Sequence, residues 1–258
     1  MDLQLTGKTA LVTGSTAGIG LAIATALAAE GAAVIVNGRT EERVHHAVRQ
    51  SGAKHGLAAD LGTEAGAAAA ISQFPEVDIL VNNLGIFEPK PFEEIPDADW
   101  RRFFEVNVLS GVRLSRHYLA GMKNRNWGRI VFISSESAIQ IPAEMIHYGM
   151  TKTAQLAISR GLAELTTGTG VTVNAVLPGP TASEGVTRFV DSLAKSKGVD
   201  PTAVERQFFT EARPTSLIRR FATPEEVAAL AVFVCSPRAS AVNGAALRVD
   251  GGVVRSIV

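Results

Sequence analysis

The sequence is short of several things, and each shortage narrows its possible functions. It has one cysteine, Cys235, among 258 residues, so no internal disulfide can form and a reducing compartment is expected. Cys235 stands in AVFVCSP and reads as a small buried apolar residue. Neither sign of charge is in excess. The 25 Lys and Arg residues balance 25 Asp and Glu with no long run of either, which removes the electrostatic footprint of a nucleic-acid binder. Long hydrophobic runs are missing too: VAALAVFVC stops after nine residues, well short of the ~20 needed to span a bilayer. The opening MDLQLTGKTALVTG has neither the basic start nor the small-residue cleavage site of a signal peptide. The five histidines at 45, 46, 55, 117 and 147 show no metal-ligand spacing. Neither G-x-x-x-x-G-K-[ST] nor G-x-S-x-G occurs, so a P-loop NTPase and an α/β-hydrolase are excluded. A soluble, cytoplasmic protein with no metal, nucleic-acid or membrane partner is expected.

What is present is a hydrophobic share of 46%, enough for one large core or two small ones. Short apolar runs recur at 9–14, 32–38, 55–60, 77–83, 129–135, 171–179 and 245–250, each ending in Gly, Asn, Asp or Ser. Continuous rather than alternating hydrophobicity marks strands buried on both faces of a parallel sheet. Helical stretches lie between them, among them 19–31, 150–165 and 223–236. The last carries Thr223 as N-cap, Pro224 at the first helical position and Glu226 three residues after the cap. This alternation predicts an α/β fold, a Rossmann-type doubly wound parallel sheet of about seven strands with helices on both faces. No linker or repeat divides residues 1–258, so a single domain is expected. Residues 183–222 are polar and mixed in charge and are expected to form short helices covering a ligand site at the strand C-termini.

TGSTAGIG, residues 13–20, joins the first strand to the first helix and spaces Gly14, Gly18 and Gly20 as G-x-x-x-G-x-G. Glycines there permit a tight turn and let a pyrophosphate approach backbone N–H groups at the helix N-terminus. The second strand ends VIVNGRT, with Asn37, Gly38 and Arg39 where NAD binding calls for a carboxylate. A guanidinium grips a 2′-phosphate, and Ser15 and Thr16 are close enough in the loop to add hydroxyls. NADP is therefore the expected cofactor, with NAD as the alternative.

HYGMTK, residues 147–152, sets Tyr148 and Lys152 four positions apart, on one face of a helix. Exposed, they are a trivial surface pair. Facing a shared pocket, the ammonium would lower the phenol's pKa from about 10 and make Tyr148 a usable acid or base. The pair alone does not choose between these readings.

The motifs taken together resemble the single-domain short-chain dehydrogenase/reductase family, and its 3-oxoacyl-(acyl-carrier-protein) reductase-like members in particular. The resemblance rests on the glycine loop, Asp60 in AADL, NNLG at 82–85, Asn107 in FFEVNVLSG, Ser135 thirteen residues before Tyr148, the Y-x-x-x-K pair, LPGP at 177–180 and RVDGG at 248–252. It runs from about residue 6 to residue 252. It implies that Asn107, Ser135, Tyr148 and Lys152 are catalytic. It further implies a cofactor site of Gly14, Ser15, Thr16, Gly18, Ile19, Gly20, Arg39, Asp60, Leu61, Asn83, Gly85, Tyr148, Lys152, Pro178, Gly179, Thr181 and Ser183.

In the implied chemistry a substrate carbonyl is held by Ser135 and Tyr148, hydride comes from the nicotinamide, and Tyr148 delivers the proton. Lys152 would hold the nicotinamide ribose and favour the phenolate, and Asn107 would order a water continuing a proton relay from Lys152. Three departures stand out. Leu84 replaces an alanine, and Ser183 falls where the family more often has threonine, leaving Thr181 or Ser183 to contact the nicotinamide amide. Glu136, Glu144 and His147 surround the catalytic pair in sequence, and one of them is expected to line the pocket. The substrate is expected to be a carbonyl or secondary alcohol, a free small ketone or a 3-oxoacyl group. Arg213, Arg219 and Arg220 leave an acidic carrier partner open. A binding-only cofactor sensor and a non-redox lyase or epimerase are the competing classes. The resemblance also implies a homotetramer built partly from the helix carrying Tyr148 and from the last helix and strand.

Overall fold

Seven parallel strands pair in the order β3-β2-β1-β4-β5-β6-β7 in the computed structural model, which describes residues 1–257, Arg188 and Phe189 through their backbone alone. The strands are β1 (Thr9–Val12), β2 (Ala33–Gly38), β3 (His55–Ala58), β4 (Ile79–Asn82), β5 (Gly128–Ile133), β6 (Val171–Pro178) and β7 (Ala246–Val249). Each falls within an apolar run of the sequence, to within a residue at its ends. Strands β4, β5 and β6 are buried along their whole length, which is why they read as continuous rather than alternating hydrophobicity.

The crossovers are α1 (Gly18–Ala29), α2 (Glu41–Ser51), α3 (Glu64–Gln73), α4 (Asp97–Phe104) running into α5 (Ser110–Asn124), α6 (Ile146–Glu164) and α9 (Pro224–Val234). Two core layers flank the sheet. One joins Ile23 and Leu27 of α1 to Val227 and Ala231 of α9. The other joins Leu114 and Met122 of α5 to Leu80, Ile130 and Val173.

Two differences from the sequence reading matter for the site. Helix α6 begins at Ile146, four residues before the predicted 150, so Tyr148 and Lys152 lie in its opening turns. Its N-cap is Met145, with no side-chain cap, and such a start carries no sequence signal. The region 183–222 holds not short helices but two substantial ones, α7 (Glu184–Lys197) and α8 (Pro201–Glu211). Ser183 and Asp200 cap them, and the apolar stripe of α8 buries Val204 and Phe209.

The capping box foreseen at Thr223 is present, with Glu226 N donating to Thr223 Oγ1 at 3.2 Å and Thr223 N donating to Glu226 Oε2 at 2.8 Å. No described helix is long and apolar enough to cross a membrane, and no metal-binding cluster of His, Cys, Asp or Glu occurs among the described residues.

Candidate active site

Strand order reverses between β1 and β4, and the chain leaves both strands toward the same end of the sheet. Such a switch point opens a crevice beyond the strand C-termini. A cleft of about 600 Å³ lies there, lined by Ile19 at the start of α1, by residues of the loops after β4, β5 and β6, and by α6, α7 and α8.

Its phosphate end is built from glycine and unfilled hydrogen bonds. Gly14 and Gly18 hold φ of +59° and +54°, a region costly for residues with a Cβ. A Cβ on Gly20 would lie 2.6 Å from Gly14 O and 2.9 Å from Ser15 Cα. No side chain caps α1, and no acidic residue stands in its first turn, so its first N–H groups are left for an anion. Arg39 is exposed at the end of β2, and Thr16 is partly exposed in the loop. These features fit the diphosphate and 2′-phosphate of a dinucleotide.

Ser15 corrects the sequence reading. Its hydroxyl donates to Val12 O at 2.7 Å and accepts from Asn37 N at 2.9 Å, and the residue is fully buried. The side chain pins the loop to β2, leaving no hydroxyl for a phosphate. Asn37 does related work: its Oδ1 accepts from Gly14 N at 3.0 Å while its Nδ2 donates to Leu57 O and Ala59 O. Asp60 is exposed and receives Gly62 N at 3.0 Å. Leu61 is buried in the core layer beneath, so only its backbone faces outward. Asn83 donates to Thr13 O and Gly14 O and ties the end of β4 to the glycine loop. Leu84, in place of alanine, packs against the core.

The other end of the cleft gathers the remaining expected residues. Ile19, Asn83, Gly85, Ser135, Tyr148, Lys152, Pro178, Gly179, Thr181 and Ser183 all line it. Thr181 Oγ1 donates to Gly179 O, and Ser183 caps α7. Lys152 Nζ donates to Ile133 O at 3.0 Å and Gln155 Oε1 at 3.3 Å. Burial pushes its pKa down to about 8.

Tyr148 moves the other way. Desolvation drives its phenol well above 10, opposed by the hydrogen bond with Ser135, while Glu136 raises it further and Arg213 lowers it. Lowering of the phenol's pKa by Lys152 is therefore not found. The ammonium sits 5.6 Å from the ring centroid and is not among the causes of the phenol's shift.

Asn107 sits in a π-helical turn, Glu105–Leu109, between α4 and α5. Its side chain is spent on structure, with Oδ1 accepting Ile86 N at 2.8 Å and Nδ2 donating to Ile86 O and Thr151 Oγ1. The expected water between Asn107 and Lys152 has a rival in Gln155, whose Nε2 donates to Asn107 O at 2.6 Å. In the sequence its only signal is a glutamine inside an apolar stretch of helix.

Ser135 Oγ donates to Glu136 Oε2 at 2.5 Å and accepts Ser137 N at 3.1 Å. The Glu136 carboxylate also takes Ser137 N and Arg213 Nε, and Arg213 Nη1 reaches Glu144 at 3.1 Å. Glu136 and Glu144 both line the cleft, and His147 does not. The His147 ring is fully buried against Phe103, 4.1 Å between centroids, and burial lowers its pKa. The three arginines left open for an acidic carrier are otherwise engaged. Arg213 is buried in this cluster, Arg219 donates to Phe209 O, and Arg220 pairs with Glu226.

The whole chain is similar to known proteins. Residues 14–254 match a family model described as enoyl-(acyl carrier protein) reductase. The chain is 55% identical to the Bacillus subtilis (strain 168) protein named uncharacterized oxidoreductase YvaG, over 100% of both chains. It is 38% identical to D-beta-hydroxybutyrate dehydrogenase of Cupriavidus necator, over 97% of this chain and 99% of the other. Among solved structures, L-sorbose reductase from Gluconobacter frateurii, complexed with NADPH and L-sorbose, superposes with a TM-score of 0.93 at 34% identity over 100% of both chains.

Proposed function

The chain belongs to the short-chain dehydrogenase/reductase family, and we propose that within it this protein transfers hydride between NADP(H) and a carbonyl or secondary alcohol, working as a ketone reductase. The observation carrying this reading is that Ser135, Tyr148 and Lys152 line one cleft with Ile19, which closes the glycine loop. The bound dinucleotide would supply the hydride at C4 of its nicotinamide.

The chain's own residues do the rest. With its pKa raised by burial, Tyr148 is protonated at neutral pH and acts as the acid, donating to a carbonyl oxygen. Ser135 lends a second hydroxyl at that oxygen by turning its O–H from Glu136. The ammonium of Lys152 has three donors and spends two on Ile133 O and Gln155, leaving one for the cofactor's ribose. Asn107 holds the 85–86 loop against α6. Thr16 and Arg39 would receive the 2′-phosphate, which favours NADP over NAD. Asp60 and the Leu61 backbone would flank the adenine, with Thr181 or Ser183 at the nicotinamide amide.

The substrate wall is mostly apolar, with Ile86, Phe87, Val204 and Phe208, and ends at Glu136, Glu144 and Arg213. This lining suits a ketone with an apolar body and one polar end, a small hydroxyketone or a 3-oxoacyl group, covered by α7 and α8. A homotetramer built partly from α6, α9 and β7 rests on the family resemblance, and light scattering would test it.

The deciding assay follows absorbance of the reduced nicotinamide, with NADPH and NADH in parallel, over ketones, diketones and 3-oxoacyl thioesters. Substrate-dependent NADPH consumption abolished in Tyr148→Phe is expected. Tight cofactor binding without turnover in either direction would favour a sensor instead. Substrate conversion without cofactor oxidation would favour a lyase or epimerase.

A further inference from the structure

Gln155 is a polar side chain in a place that burial disfavours. It is 2% exposed, in the body of α6, where an unpaired amide is costly. Both ends of the amide are paired, and with unusual partners. Its Oε1 accepts from Lys152 Nζ at 3.3 Å, and its Nε2 donates to the main-chain carbonyl of Asn107 at 2.6 Å. Lys152 is three residues back on the same helix, so the two side chains share a face. The Asn107 carbonyl comes from the π-helical turn between α4 and α5, a distortion that alters which backbone carbonyls find helical partners.

We propose that Gln155 is a positioning residue for Lys152: an amide strut, braced on the Asn107 carbonyl, that holds the ammonium in one orientation and aims its remaining N–H into the cleft. Three observations support this. The ammonium has three N–H groups, and among the described residues its acceptors are Ile133 O, from β5, and Gln155 Oε1. These approach from the strand and from the helix, so together they set the direction of the third. Beside the ammonium the wall is Gly85, where a Cβ would lie 3.5 Å from both Lys152 Nζ and Asn107 Oδ1. Space is thus left open on the cleft side, where Lys152 lines the cavity. The strut also links Lys152 to the Asn107 carbonyl directly through one amide.

The titratable and charged groups around this floor are Tyr148 on α6, Glu136 beyond β5 and Arg213 after α8. None of them is a cause of the depressed Lys152 pKa, which burial alone produces. Gln155 gives the ammonium an uncharged acceptor there.

The test reads Lys152 itself in cofactor-free protein, so it is independent of the reductase assignment, on which only the kinetic arm rests. With lysine labelled by ¹³C at Cε, the Lys152 resonance, assigned by its loss in Lys152→Met, is titrated in wild type, Gln155→Met and Gln155→Glu. Met removes the acceptor without changing length, so the midpoint is expected to fall by about one pH unit, a tenfold change in the amine fraction. Glu keeps an acceptor and adds charge, so the midpoint is expected to rise. In the kinetic arm the alkaline limb of kcat moves with each midpoint, while KM for the carbonyl substrate stays within about twofold. Should Gln155→Met fail to fold, Gln155→Asn, whose amide is one methylene too short to span both partners, takes its place with the same downward shift. Midpoints unmoved in folded variants, or moved the same way by Met and Glu, would overturn the proposal.

Discussion

Replacing Arg213 by methionine tests whether the covering helices are tied to Ser135 through one buried charge. Arg213 follows α8, and its Nε meets Glu136 at 3.2 Å with both side chains below a tenth exposed. Its second bond, to Glu144, is to a carboxylate that is 49% exposed. Removing one member of a buried pair costs about 3–5 kcal/mol, because the other charge is left uncompensated. Here Glu136 keeps Ser135 Oγ and both Ser137 donors, which places the loss at the low end, about 3 kcal/mol. An unfolding entropy of about 2.1 cal/mol/K per residue gives roughly 0.5 kcal/mol/K for a chain this long, so Tm should fall by about 6 °C. Glu144→Gln removes only the solvent-screened bond, expected at below about 0.5 kcal/mol and about 1 °C. Thermal unfolding by circular dichroism at fixed protein concentration measures both. Adding Glu136→Gln to Arg213→Met should recover part of the loss, because the orphaned charge is gone. Equal losses from Arg213→Met and Glu144→Gln, or a double variant as unstable as the sum of its parts, would refute the reasoning.

Three further outcomes follow from the site. Lys152 titrates at about 8 in the fold against 10.5 when unperturbed, so between those values the unfolded chain binds more protons and wild-type stability rises with pH. Lys152→Met should then be more stable than wild type at pH 7, by up to about 3 kcal/mol. That advantage should shrink from pH 8 and be gone by about pH 10.5 in denaturant titrations; an advantage that grows with pH would show the sign to be wrong. Arg39→Ala should raise KM for NADPH about tenfold and leave KM for NADH within about twofold, read from initial rates; equal effects on both would remove Arg39 from the 2′-phosphate. Gly20→Ala places a Cβ 2.6 Å from Gly14 O. Fluorescence titration should find dinucleotide binding weakened at least about tenfold, and unchanged affinity would mean the loop has another purpose.

Most of the architecture was readable before any coordinates, because parallel strands buried on both faces leave uninterrupted runs such as RIVFI and VTVNAVLP. The glycine loop and the Tyr148–Lys152 pair are readable for a similar reason: their spacing is set by local geometry, and Ile19, Tyr148 and Lys152 line one cleft. What stayed hidden depends on partners distant in sequence. Ser15 resembles a free loop hydroxyl until β2 arrives with Asn37. Arg213 resembles a surface charge until Glu136, 77 residues earlier, is found beside it. The pKa of Tyr148 follows from the volume of protein around it, and four-residue spacing carries no information about that volume.

The two ends of the chain share one core layer. Helix α1 lies along α9, and Ile23 and Leu27 pack in the same cluster as Val227, Ala231 and Cys235. During synthesis, α1 leaves the ribosome long before its partner exists. At usual translation speeds that interval is on the order of ten to forty seconds. Its apolar stripe therefore stays sticky until α9 emerges, and chains broken off before residue 224 are natural clients for chaperones and proteases. The same arrangement makes the fold a check on completeness, since a truncated copy cannot close its first layer.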